Sequence, residues 1–218
     1  MKIRLHLLAT GVAAVLSLSA RADTLTFTPS PPDLADLDEA QVYTWRLSNI
    51  NLSGMTITGA RLTFTNIAVG TPLDNRLYLH LLDTARSAGV ASFSDQPASS
   101  SGLLDDFVDP RYHSQSGWLV PTGTADTFLT APDVPMTPSI LLFNFSAAQV
   151  QALSTYIANG GNFALGFDPD STTAPENFFN DGVKFEIFTM PIPEPGTMAL
   201  LVFGAVALIA AGKRARPI

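Results

Sequence analysis

The chain has 218 residues, no cysteine and a formal charge of −7. Without cysteine there are no disulfides, no thiol catalysis, no thiolate metal sites and no lipid anchor on an N-terminal cysteine. The basic residues concentrate at the two ends, so residues 23–190 hold 18 acids against six bases, a formal charge of −12, which disfavours nucleic acid and anionic lipid as partners.

The first element is an export signal. Lys2 and Arg4 precede an uncharged, mostly apolar run from Leu7 to Ser19. Ala20-Arg21-Ala22 then supplies the small-x-small pattern at which a signal peptidase cuts, recognising Ala20 and Ala22. The apolar run is too short for a membrane span, which needs ~17–25 residues. The expected signal peptide is therefore 1–22, with Asp23 as the first mature residue.

Residues 23–190 read as one exported all-β domain, a β-sandwich of jelly-roll type with one short helix. Alternation of apolar and polar residues carries that reading. Tyr43, Trp45 and Leu47 alternate with Thr44 and Arg46, and Ala60, Leu62 and Phe64 with Arg61 and Thr63. Leu77, Leu79 and Leu81 alternate with Arg76, Tyr78 and His80, Phe163, Leu165 and Phe167 with Ala164 and Gly166, and Val183, Phe185 and Ile187 with Lys184 and Glu186. Weaker strands are expected at 24–28, at 118–120 and near Phe128. Residues 84–115 are expected to be an irregular polar loop. The solid apolar run from Ser139 to Phe145 predicts a strand buried on both faces. Ser146 and Gln149 have capping-box spacing. Val150, Leu153 and Ile157 then share one helical face, and Gly160 is placed to end the helix.

Candidate chemistry is sparse. His80 reads as a solvated strand histidine on the face of Arg76 and Tyr78. His113 lies in the polar loop beside Tyr112. No nucleophile elbow and no phosphate-binding glycine loop occur in the sequence. Two acidic groups stand out, Asp105-Asp106 with Asp109, and Asp168-Pro169-Asp170 with Asp181. Hard cations such as calcium take several oxygen ligands from flexible loops, and Asp168, Asp170 and Asp181, with Asn177, are the metal candidates. Solvated turns use the same residue types. Trp45, Trp118, Tyr112 and Phe178-Phe179 are available as a sugar-stacking platform, although core packing is the default role of such residues.

The C-terminal tail, 191–218, has three parts. Pro193, Glu194 and Pro195 come first. An uncharged apolar run over 196–212 follows, then Lys213, Arg214 and Arg216 within 213–216. As a helix at ~1.5 Å per residue the run reaches ~26 Å, close to the ~30 Å bilayer core. It is apolar all round, unlike an amphipathic surface helix. The basic cluster belongs on the cytoplasmic side by the positive-inside rule, which agrees with export of the N-terminal part. This layout resembles the PEP-CTERM sorting signal of Gram-negative bacteria that make extracellular polysaccharide. The resemblance is confined to the tail. It implies an inner-membrane precursor, recognition by an exosortase that cuts near the Pro-Glu-Pro motif, and a final place at the cell surface or outside the cell. The two prolines would hold the backbone extended there.

Three functions fit this layout. The first is a non-enzymatic surface or matrix protein associated with extracellular polysaccharide. The second is a glycan- or calcium-binding module on the same fold. The third is a secreted hydrolase.

Overall fold

The structure is a computed structural model that describes residues 22–71, 75–94, 105–108, 120–121, 123–171, 177–192 and 203–204. The chain divides into two compact units. The smaller comprises Met1–Asp23, Gly54–Thr56 and Met190–Ile218; within it the Ile192 N–H donates to the Gly54 carbonyl at 2.8 Å. The larger comprises Thr24–Ser53 and Ile57–Thr189. Among the described residues no helix is long and apolar enough to cross a membrane. The expected signal peptide at 1–22, apart from Ala22, and the tail from Pro193 onward, apart from Phe203 and Gly204, lie outside them.

Among the described residues the architecture is all-β with one long α-helix. The strands are β1 (Asp23–Phe27), β2 (Gln41–Ser48), β3 (Met55–Ile67), β4 (Asn75–Leu82), β5 (Gly89–Ser94), β6 (Asp126–Thr130), β7 (Ser139–Asn144), β8 (Asn162–Ser171) and β9 (Gly182–Pro191). Helix α1 covers Ala147–Ala158. Two antiparallel sheets form, a smaller one in the order β1-β9-β3-β7 and a larger one in the order β5-β2-β8-β4-β6.

The alternating runs form strands with the expected faces inward. Trp45, Leu79, Leu165 and Phe167 of the larger sheet and Leu62, Phe64, Phe185 and Ile187 of the smaller are buried in one apolar cluster. Contacts across it are close: the Phe64 and Phe167 rings meet edge-on at 6.0 Å, and those of Phe163 and Phe185 tilt together at 5.6 Å. Each such side chain stabilises the fold by about 1.5–3 kcal/mol through burial.

Helix α1 starts as the sequence requires. The Ser146 N–H donates to Gln149 Oε1 and the Gln149 N–H to Ser146 Oγ, closing the capping box. Leu153, Tyr156 and Ile157 are buried in the shared core. Its left-handed terminator is Gly161, φ +67°, one residue beyond the expected Gly160.

Three expectations are corrected. The run from Ser139 is not buried on both faces: among the described residues β7 is an edge strand, paired only with β3, with Ile140 and Leu142 exposed. Its apolarity on the outer side has no core to explain it. The 84–115 region is not wholly irregular, because Gly89–Ser94 forms β5 and pairs along β2 from Gln41↔Ser94 to Arg46↔Gly89. Its small residues gave too weak an alternation to stand out. His80 is not solvated: it is fully buried. The weak strands expected at 24–28 and near Phe128 are β1 and β6. Of 118–120 only Val120 is described, and it lies in no strand.

Between β1 and β2, Leu34, Ala35, Asp36 and Leu37 all have positive φ, from 41° to 60°. L-residues resist this by roughly 1–2 kcal/mol each. The turn is fastened at both ends. The Leu34 and Leu37 side chains are fully buried, the Val183 N–H donates to the Pro32 carbonyl, and the Phe178 N–H donates to that of Leu37. Asn180 Nδ2 donates to the Asp33 carbonyl at 2.8 Å. Ala35 is exposed and contributes strain without core contacts. Ala35→Gly is expected to raise the urea midpoint at unchanged m-value, a gain of up to about 1 kcal/mol in stability, whereas in a regular strand or helix it would lower stability. A loss of stability would show that Ala35 is not held in this conformation.

Candidate functional site: a buried acidic cluster

The larger sheet turns one face to the shared core and covers part of the other with a second, smaller apolar cluster of Val42, Leu82, Ala85, Phe107, Val120 and Ala164. Thr44, Gly166, His80 and Phe128 form one row across that face, since Thr44 and His80 both oppose Gly166 and His80 opposes Phe128. The Phe107 ring lies over the glycine. A Cβ at position 166 would come within 2.6 Å of Phe107 Cζ. Glycine in a strand of otherwise bulky residues often marks such a close approach.

His80 sits between two carboxylates. Its Nδ1 is 2.9 Å from Asp126 Oδ1 and 3.0 Å from Oδ2, and its Nε2 is 3.0 Å from Asp105 Oδ2. A carboxylate at each nitrogen favours the doubly protonated ring, because neutral imidazole donates from only one. Burial alone would lower its pKa, but the hydrogen bonds to Asp105 and Asp126 outweigh that and push it up to about 9. The imidazolium also packs against the rings of Phe107 and Phe128, with centroids at 4.8 and 5.3 Å. At neutral pH His80 is a fixed cation with no free lone pair, so it cannot serve as a general base.

Asp105 organises the turn that follows it. Its Oδ1 accepts the Phe107 N–H and its carbonyl accepts the Val108 N–H. The next residue joins this turn to β8: the Asp106 N–H donates to Asp168 Oδ2 at 2.8 Å. Asp168 is fully buried, and its Oδ1 is buried without a hydrogen-bond partner among the described residues. Burial first, then the charge of Asp170, raises its pKa well above the ordinary carboxyl value. Burial and Asp170 also raise that of Tyr78, which lies opposite Asp168 across the ladder. Pro169 is tolerated in this inner strand because the β2 pairing has ended at Phe167, leaving only β4 alongside.

Of the metal candidates, Asp168 and Asp170 lie two residues apart on β8 beside Asp105 and Asp106. Asp181 is elsewhere. Its carboxylate takes the Asn66 amide, and its N–H donates to the Thr65 carbonyl at the end of β3. Asn177 forms an isolated bridge with Asp38. Among the described residues no group of three or more His, Asp or Glu side chains is arranged to hold a metal ion. Of the aromatic candidates, Trp45 and Phe178 are core residues and Phe179 is half exposed. Trp118, Tyr112, Asp109 and His113 lie outside the described residues.

Sequence reasoning named Asp105 and Asp106 without joining them to Asp168, and missed Asp126 and Phe107 altogether. The available signal was Gly166. No protein-family model matches the chain, and no curated protein is similar to it.

Proposed function

We propose that this chain is an exported, non-enzymatic surface or matrix protein whose β-sandwich, of jelly-roll type, is delivered by a PEP-CTERM tail. The ordered succession of Pro193-Glu194-Pro195, the apolar run over 196–212 and the basic end at 213–216 carries the reading. The fold is compatible with it: β1 opens on Asp23, the expected first mature residue, and β9 closes at Pro191, just before the motif. In this reading signal peptidase removes 1–22, an exosortase recognises the Pro-Glu-Pro segment, and the released domain associates with extracellular polysaccharide. The test compares the full chain with one lacking 193–218 in a host that has an exosortase. The full chain should pass through a membrane-bound precursor, and the truncated form should appear directly in the medium. Absence of any precursor from the membrane fraction would overturn the proposal.

A second reading is favoured by Asp168 Oδ1, which is buried, without a hydrogen-bond partner, and close to further carboxylates. A divalent cation such as calcium could take the place of the proton there. The two states predict opposite signs for Asp168→Asn. With a proton at Asp168, stability falls as pH rises from about 4 toward the raised native pKa. The neutral amide removes that loss, so the variant should be the more stable of the two at pH 7. With a bound cation, Asp168→Asn destabilises and abolishes any rise in melting temperature on adding calcium after EDTA. Melts that are the same in calcium and EDTA would remove the cation reading and leave the sorting proposal untouched.

A further inference from the structure

Charge is unevenly spread along this acidic chain. Between Asp133 and Asp168 there is no Asp, Glu, Lys, Arg or His. That stretch contains β7, α1 and the first part of β8. Helix α1 buries one side in the core, and β8 lies between β2 and β4. Strand β7 is different. It is the outermost strand of the smaller sheet, bonded to β3 on one side. Leu141 and Phe143 pack on the core, while Ile140 and Leu142 point outward, 66% and 47% exposed.

Edge strands are ordinarily guarded by charges, internal prolines or bulges, because their free backbone groups invite pairing with another chain. The segment Ser-Ile-Leu-Leu-Phe-Asn has no charge and no proline, and the local irregularity in register falls between Phe64 and Ile67 of β3. The other edges differ. β1 begins with the exposed Asp23, β6 has a single exposed apolar side chain, Phe128, rather than a pair, and β5, also uncharged, has none of large size.

We propose that β7 is a self-association edge, at which a second copy of this chain pairs antiparallel about a twofold axis. Two four-stranded sheets would then continue as one of eight. The charge pattern argues for this occupant. Two domains of like sign repel over most of their surfaces, and an uncharged edge lets them approach with least opposition. The contact is self-complementary, as a twofold interface requires: each strand offers Ile140 and Leu142 to the same pair of its twin. The inference is independent of the sorting proposal.

The absence of native cysteine makes a direct test available in the full chain. Opposed residues of antiparallel strands have Cα atoms ~4.5–5.5 Å apart, within disulfide reach. Ile140→Cys alone, Leu142→Cys alone, and the two variants co-produced with different tags together cover twofold axes centred on residues 140, 142 and 141. Lys184→Cys, exposed on β9 of the same sheet, reports random collision. Mild oxidation should give a covalent dimer in at least one arm, several-fold above the Lys184→Cys control. Adding glutamate at the other outward position (Leu142→Glu with Ile140→Cys, Ile140→Glu with Leu142→Cys) should suppress it by placing charge within the seam. Dimer yields no greater than the control in all three arms, insensitivity to these glutamates, or cross-linking to a protein of another mass would each overturn self-pairing.

Discussion

Replacing His80 by glutamine is expected to cost about 3 kcal/mol near pH 6 and progressively less toward pH 10. The sign follows from the raised pKa. An imidazole with a pKa of about 9 in the folded chain and 6.5 in its ordinary state contributes stability that is complete below pH 6.5. That stability is lost as pH rises through 9. Two and a half pKa units correspond to about 3 kcal/mol. Independent reasoning gives a similar size. Removing the cation leaves the Asp105 and Asp126 carboxylates facing each other across a neutral amide, and breaking a buried ion pair costs about 3–5 kcal/mol. Their partial exposure, 14% and 20% of the side chains, places the expectation at the lower end. Chemical denaturation of wild type and His80→Gln at intervals from pH 5.5 to 10 measures the gap directly. A gap that stays constant with pH would mean that the ring contributes packing and no charge.

The second large effect concerns Gly166. Gly166→Ala should destabilise by about 1–3 kcal/mol through overpacking, even though alanine suits a strand better than glycine does. Its Cβ would meet three carbons of the Phe107 ring at 2.6–3.0 Å. The ring cannot simply swing aside. It is bracketed by Asp105, which binds His80, and by the Asp106 N–H, which binds Asp168. In a Phe107→Ala background the same change should become neutral or favourable, so the double-mutant cycle should show a coupling of about the size of the original loss. Additive effects would show that Phe107 does not rest on Gly166.

These two residues also mark how far the sequence could be read. The five strong alternating runs gave the core faces correctly, because a period of two leaves little freedom once one side is buried. The capping box of α1 was equally legible, since Ser146 and Gln149 act within one turn. His80 misled because its neighbours on the strand, Arg76 and Tyr78, suggested a wet face. Its burial depends on Asp105 and Phe107, separated by some two dozen residues of chain and brought in by the segment between β5 and β6. Nothing in local pattern encodes that return. The edge position of β7 was illegible for a related reason. Apolar side chains on both faces ordinarily signal an inner strand, and only the pairing order shows the edge, as only the packing shows that the face of Ile140 and Leu142 is bare. Asp181 and Asp168 looked like one group from their closeness in sequence, yet Asp168 lies on β8 of the larger sheet and Asp181 in the bend before β9 of the smaller.

The place of β9 has a mechanical meaning. It is held by β1 on one side and β3 on the other, and it is the strand from which the C-terminal segment departs. Inter-strand hydrogen bonds lie across the strand direction, so tension applied along β9 loads both of its ladders together, in shear. A strand at the rim would instead peel away one bond at a time. A domain drawn outward while its C-terminal segment is still gripped would thus meet the pull on a doubly bonded strand. The opposite rim of that sheet, β7, would lie off the path of the force.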